Sequence, residues 1–573
     1  MKTLCLVTLL LTAALLSPFN LCAEEINFDT TAWRARLNSE WGEGVPTAEK
    51  LKVFDRFWDT LNTGYSCFVN GRNCDWDAEV KKIRDKVAAG LTRGGFASAL
   101  TELTLLMNDG HTFFWDVGVH RAQIKPGLPL VTAHSQENFA ACVTPLPDST
   151  ALVYEAQPGN VFGLERGDVI LGYNGVKLGK LVDIILETKI PISCSVGSTE
   201  YATWHKLMTA VACSWHLFDT IDVLKSNGEI KHFPTSLMAN THYVGKCWEA
   251  LPIEGIERPT PNEVSDRNKS VYSGMIPGTA VGYVAFYNCL EMSGDSLYNH
   301  VKELVERRSA KALIIDIRTN LGGTIMSFDK AFMYLYDKDC RNWLTCGDRI
   351  DPDDKFNLFV DPNYKYGYDL YKTEEFYFDH PIAVITGPNA ISAGDIFPLL
   401  FMNHPRVKFF GKSTAGAYGA SCGLTIPQHS QFFGLMQLGN MALPKEPNKF
   451  LSHTYSRVDF PVWMTREGVA QGKDDPLEAA IKWIEQDMAV EEIAAGGELS
   501  IAPTVAKEFI AVKFSVKNPD AVRYEITDIT GKQALAGECR NLDRINLNAL
   551  GAGVYFIAFD APAGKCVKRF LKE

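Results

Sequence analysis

The spacing of hydrophobic positions changes period along this chain. Between residues 30 and 108 it is helical: Phe54, Phe57 and Trp58 share a face with Leu61, and Phe96, Leu100, Leu103 and Met107 repeat at i, i+4, i+7 and i+11. Asn108-Asp109-Gly110 then forms a stop signal, with His111 directly after it. From 135 to 245 the pattern is that of short strands. Within GLERGDVILGYNGVKL (163–178), Gly167-Asp168 predicts a turn, Val169 to Leu171 a strand and Asn174-Gly175 a hairpin turn. From 276 to 483 strands alternate with helices: a strand at Gly282 to Phe286, a helix striped by Leu297, Val301 and Leu304, and a buried strand at Leu313 to Ile317. That alternation predicts βαβ units and a mainly parallel sheet. An amphipathic helix over 472–486, with Pro476 near its start, closes the region.

A low-aromatic linker, 489–503, separates this part from a last unit with short strands around Phe509 to Val516, Arg523 to Ile526, Gly553 to Phe559 and Val567 to Leu571. The expected organisation is multidomain α/β: a helical N-terminal cap (24–134), a β-rich domain (135–245), an α/β domain (250–488) and a C-terminal all-β sandwich (504–573). Residues 1–23 read as an export signal, with Lys2 before an apolar stretch from Leu4 to Leu16 and a small residue, Ala23, at the end. Cys22 offers a lipid-modified cysteine as the alternative, against which stands the large Leu21 before it.

Composition narrows the function. The formal charge is −11, one unit more negative without Lys2, and no basic run occurs, which argues against nucleic acid as a partner. No later stretch is apolar enough for a membrane span. Fourteen cysteines, two of them in the signal, suit disulfides in an exported protein. Cys67/Cys74, Cys194/Cys213, Cys340/Cys346 and Cys539/Cys566 are the first candidate pairs. There is no CxxC, no HExxH and no clustered His/Cys spacing, so neither a metal site nor a cofactor is expected.

The chemistry gathers at one serine. In PIAVITGPNAISAGDIFPLLF (381–401) an apolar strand runs through a Gly-Pro-Asn turn to Ser392 at the start of a helix, where the helix dipole favours developing alkoxide. An N-cap serine has the same local signature. In ALIIDIRTNLGG (312–323) a buried strand ends in Gly322-Gly323, whose unobstructed amides, with that of Ala393, are oxyanion-hole candidates. Arg318 and Asn320 at the strand end are placed to brace that loop. His111 is the candidate base, histidine being suited to take a hydroxyl proton near neutral pH.

Together these segments resemble the C-terminal processing peptidases and tricorn core proteases, whose phrases are a strand plus D-x-R-x-N-x-G-G, then a strand plus S-A-x-(E/D). Residues 54–58, 65, 75–77 and 109–112 (DGHT) resemble the cap that supplies histidine in the tricorn branch. GLERGDVILGYNG resembles a PDZ domain. The resemblance spans roughly 50–485 and implies a ClpP/crotonase-like catalytic fold and serine endopeptidase activity on peptides or unfolded proteins. The lysine of the processing branch is missing from TAGAYG (414–419), and Lys412 precedes that phrase, so the tricorn branch with His111 is the better match. That branch also implies an acid about 60 residues after the serine. Asp459 is favoured for it, with Glu467 as the alternative. A PDZ-like module implies peptide capture at Phe162-Gly163-Leu164. The last unit, with YEITDITGK, LGAGVYFIAF and the basic KCVKRFLKE, resembles the sorting domain of type IX secretion substrates. It implies export through the periplasm of a Gram-negative-type bacterium to the outer surface or beyond, with the secretion machinery as partner. A homo-oligomer stays open. The rival expectation is a non-catalytic surface protein that binds peptide or another ligand on the same fold.

Overall fold

The structure, a computed structural model, describes residues 28–132, 139, 141–193, 196–240, 247–259, 263, 266, 269–372, 376–495, 499–514, 521–540, 543–561 and 564–573. The expected export signal and Cys194 lie outside the described residues. Four helices come first among the described residues: Thr31–Ser39, Thr47–Gly64, Trp76–Ala88 and Arg93–Met107. The helical stripe read from the sequence is their core, since Phe54, Phe57, Leu61, Phe96, Leu100, Leu103 and Met107 bury together. The fourth helix stops where expected, with Asn108 as a left-handed cap (φ 48°).

The middle part is a six-stranded sheet in which Ala141–Pro145, Ala151–Ala156, Val169–Tyr173, Thr220–Leu224 and Ile230–Pro234 lie in that order and Val176–Lys177 pairs with Val169–Tyr173. Helices Leu178–Thr188 and Glu200–Ala212 pack on it through Leu181, Ile185, Met208 and Val211.

The sheet that carries the chemistry has five strands in the order Val271–Met275, Val281–Phe286, Ala312–Asp316, Ile382–Thr386, Val407–Gly411. The first pair is antiparallel and the rest run parallel. The two central strands are buried along their whole length, which explains their continuous apolar runs. Asp316 lies opposite Ile385, so the loops after these strands emerge side by side at the carboxyl edge. That is where ligands bind in sheets of this kind.

Two features depart from the expected alternation. Residues 340–370 form an antiparallel set, with Cys340–Arg349 between Leu358–Val360 and Tyr366–Leu370. A second antiparallel sheet pairs Phe432–Leu438 with Ala420–Thr425 on one side and with Phe113–Asp116 on the other. This pairing ties the segment after His111 to a strand more than 300 residues later. The closing helix runs Asp475–Ala495, past the start expected for the linker. The C-terminal residues form two sheets, of three and five strands, around Ile510, Val512, Ile526, Ile557, Phe559 and Phe570.

The cysteines pair differently from expectation. Among the described residues a disulfide joins Cys142 to Cys247, while Cys67, Cys74, Cys213, Cys340, Cys346, Cys539 and Cys566 are free thiols. Cys340 and Cys346 sit six positions apart on one extended strand, about 20 Å at strand rise, beyond any disulfide. Cys539 and Cys566 lie on strands separated by two others in the five-stranded sheet.

Candidate active site

Ser392 sits on a backbone that an ordinary helix cap does not use. Its φ is 63° and ψ −120°, whereas an N-cap residue is normally extended with negative φ. A left-handed conformation on a residue with a Cβ costs about 1–3 kcal/mol and persists only where its surroundings enforce it. Here Asp395 enforces it. Its buried carboxylate accepts the Ser392 N–H (2.8 Å) and reaches across to the amides of Gly416 (2.7 Å) and Ala417 (3.1 Å). Burial raises the Asp395 pKa above its ordinary value, and these donors offset only part of that rise. The result is a sharp strand-to-helix turn with the half-buried Ser392 at its apex.

The glycine loop lies against this turn. A Cβ on Gly322 would stand 2.5 Å from the Ile391 carbonyl oxygen and 2.6 Å from Ser392 Cβ, and φ at Gly322 is +77°. Only glycine permits that approach. Asn320 is the clamp: its carbonyl accepts the Ile391 N–H (3.0 Å), its Oδ1 accepts the Gly322 N–H (2.9 Å) and its Nδ2 donates to the Phe286 carbonyl (2.8 Å). Gly322 is therefore corrected as an oxyanion donor, because its N–H is already engaged. The amides of Gly323 and Ala393 have no hydrogen-bond partner among the described residues, which leaves both available to a substrate oxygen. Arg318, 2 % exposed, donates to Asp316 and Asp474 and to the Glu249 carbonyl, fixing the base of the loop.

His111 reaches this place through Gly110. A Cβ on Gly110 would come within 2.8 Å of Ile391 Cδ1 and 3.3 Å of Ala417 Cβ, so the turn ahead of His111 packs on the turn ahead of Ser392. Asp109 shapes it, with Oδ1 accepting the His111 N–H (2.7 Å) and the Thr112 hydroxyl (3.2 Å). His111 is buried, and its Nδ1 lies 3.3 Å from Gln437 Oε1.

Gln437 is the residue that sequence reasoning missed. Phe113 pairs with Leu435, so continuing that antiparallel register places His111 opposite Gln437. The orientation of its amide follows from its neighbours. Nε2 faces the Tyr418 (3.5 Å) and Gly439 (3.3 Å) carbonyls and the Ser452 oxygen (2.7 Å), and only an N–H group fits there. Oε1 must then face His111, so Nδ1 carries the proton and Nε2 keeps its lone pair, the tautomer of a general base.

Neither expected acid plays this part. Asp459 accepts the Phe409 N–H (2.9 Å) and pairs with Arg457, and Glu467 is exposed on the short helix Arg466–Ala470. Ser452, near the position expected for the acid, instead donates to the Tyr418 carbonyl and accepts from Gln437. Lys412 is no base for Ser392. Its amine lies over the rings of Tyr201 (4.9 Å) and Trp463 (4.8 Å), and burial lowers its pKa to about 8. Phe162-Gly163-Leu164 is corrected as a peptide site. Phe162 and Leu164 are core residues, and Asn160 already takes the Gly163 and Leu164 amides.

Residues 280–433 match peptidase family S41, and residues 500–573 match the secretion system C-terminal sorting domain. The chain thus carries one region similar to peptidase family S41 and one similar to a sorting domain. No curated protein sequence matches it. Mature CPAF in complex with lactacystin shares the fold at a TM-score of 0.52 and 11% identity, over 77% of this chain and 98% of that one. Mature CPAF aligns at 0.50 and 12%, over 74% and 94%. The tricorn protease aligns at 0.32 and 14%, over 77% of this chain and 37% of its own, too distant to place this chain in one branch.

Proposed function

We propose that this chain is an exported endopeptidase of the S41 type that cuts peptides or unfolded proteins through a Ser392–His111 pair. His111 Nε2 takes the Ser392 proton as Oγ attacks the scissile carbonyl, and the same ring returns it to the leaving amine. The Gly323 and Ala393 amides receive the oxyanion. Gln437 holds the imidazole in the tautomer that the step needs. A neutral amide does this without the charge that an acid would place behind the imidazolium, which points to a slower enzyme with the same division of labour. The observation that carries the reading is the left-handed backbone at Ser392, held by the Asp395 carboxylate beside an oxyanion loop.

Several further assignments belong to this proposal. The boundaries 24–134, 135–245, 250–488 and 504–573, with a signal at 1–23 and a linker near 489–503, define its units. The middle domain acts as a PDZ-like scaffold or gate rather than as a carboxylate grip, given the spent amides of Gly163 and Leu164. A recess of about 250 Å³ lined by Thr324, Ile325, Met326 and Tyr364 to Tyr368 begins one residue past Gly323 and offers room for a substrate side chain. The sorting domain directs the protein to the outer surface or beyond. No helix among the described residues is long and apolar enough to cross a membrane.

The test is hydrolysis of a denatured protein substrate by the purified full chain. Ser392→Ala and His111→Ala should each lower kcat/KM by more than about a thousandfold. Full activity in His111→Ala would remove it as the base.

A further inference from the structure

Beside the catalytic pair lies a second convergence of side chains that peptide hydrolysis does not use. Cys67 follows the helix Thr47–Gly64, Asp109 belongs to the turn before His111, and His453 lies in the loop after the strand Asn440–Ala442. Cys67 Sγ, a carboxylate oxygen of Asp109 and a ring nitrogen of His453 lie within 4.8 Å of one another. Cys67 is 0% and Asp109 1% exposed. No sequence motif joins positions 67, 109 and 453, and three chain segments that touch only in the folded protein supply one ligand each.

These groups do not satisfy one another. His453 Nε2 stands 3.7 Å from Asp109 Oδ2 and 3.4 Å from the Tyr65 hydroxyl, the first too long for a hydrogen bond and the second weak. Asp109 Oδ2 accepts the Tyr65 hydroxyl (3.0 Å), but no lysine or arginine among the described residues pairs with this buried carboxylate, and His453 stands off it at 3.7 Å. A buried carboxylate without a counter-charge is costly. His453 is also held at φ +63°, a left-handed conformation on a non-glycine residue that aims its ring inward.

We propose that Cys67, Asp109 and His453 form a zinc site, with water or the Tyr65 oxygen in the fourth position. Sulfur and imidazole nitrogen together select zinc over calcium or magnesium, and a tetrahedral ion needs ligand atoms roughly 3–4 Å apart, a small contraction from the observed spacing. On binding, the Cys67 S–H bond breaks, its proton leaves to solvent and the thiolate coordinates the ion. Thiolate and carboxylate together balance the two positive charges. The outer contacts of such a site are in place. Gln437 Nε2 donates to Cys67 Sγ (2.8 Å), and Asp109 Oδ1 holds the His111 N–H (2.7 Å). The ion would pin the turn that carries His111, making this a positioning site beside the peptidase centre. The inference stands without the peptidase mechanism.

The test uses metal-free full chain and cobalt(II) as a spectroscopic stand-in for zinc. One equivalent of cobalt should raise a thiolate-to-metal charge-transfer band, and zinc should abolish it. Zinc should release one proton per chain in weak buffer and raise the thermal midpoint. Cys67→Ser should lose the band, and His453→Ala should lose the zinc-dependent rise in midpoint. Absence of a thiolate band in the wild type overturns the site whatever the variants do. A band of equal strength in a folded Cys67→Ser chain also overturns it, because the partly exposed Cys74, Cys346 or Cys422 would then be the ligand.

Discussion

At the scale of single residues, the site depends on strain held by close contact. Ser392 keeps its left-handed backbone because Asp395 ties three amides together and because Gly322 leaves the space beside it empty. Gly322→Ala puts a methyl group 2.5 Å from the Ile391 oxygen at a φ of +77°, so the loop must move. A displacement of about 1 Å in a catalytic loop costs on the order of a hundredfold in rate. We expect kcat to fall by about that factor while the thermal midpoint falls only a few degrees. A variant that unfolds in proportion to its lost activity would count against a positioning role. Ser392 and the Gly-Gly loop were readable from sequence because each motif is local. The division of labour between the two glycines was not, since it depends on Asn320 claiming one amide.

At the scale of elements, the antiparallel pairing of Phe113–Asp116 with Phe432–Leu438 positions His111, the proposed base. The DGHT turn marks a candidate histidine, but no local pattern reveals a strand partner more than 300 residues away. The acids nearest the expected spacing, Asp459 and Glu467, are spent or exposed elsewhere in the fold. Gln437 was invisible for the same reason: its role follows from register. The antiparallel set at 340–370 was missed because CRNWLTCGDR lacks apolar alternation. Gln437→Leu should lower kcat by about ten- to a hundredfold with little change in KM, by releasing the imidazole orientation. Gln437→Glu places a charge beside the ring and favours its protonated form, so the acid limb of the pH–rate profile should move to higher pH. Steady-state kinetics across pH check both. An unchanged profile in a folded, active Gln437→Glu enzyme would separate Gln437 from His111.

At the scale of the whole molecule, the helical cap, the middle sheet and the α/β sheet each build a core of their own, and the site lies where their loops meet. The cores were legible as changes in hydrophobic period. Three buried histidines set how the assembly responds to acid. Burial lowers the pKa of His120, His216 and His404 to about 4 in each case. The unfolded chain takes up these protons below about pH 6.5, whereas the folded chain refuses them until about pH 4. Their contribution to stability is full above pH 6.5 and is lost as pH falls toward 4, with a combined slope of up to about 4 kcal/mol per pH unit near pH 5. Urea unfolding between pH 7 and 4.5 should show this fall. His216→Gln, which retains a hydrogen-bonding group for the Leu130 carbonyl, should flatten it by about a third.

The central claim is that Ser392 is an activated nucleophile. Labelling the full chain with a fluorophosphonate, followed by peptide mapping, tests it most directly. One adduct on Ser392 is expected, absent in Ser392→Ala and formed at least a hundredfold more slowly in His111→Ala. An adduct on another residue, or no adduct at Ser392 in a folded chain, would contradict it and leave a binding protein on a peptidase fold.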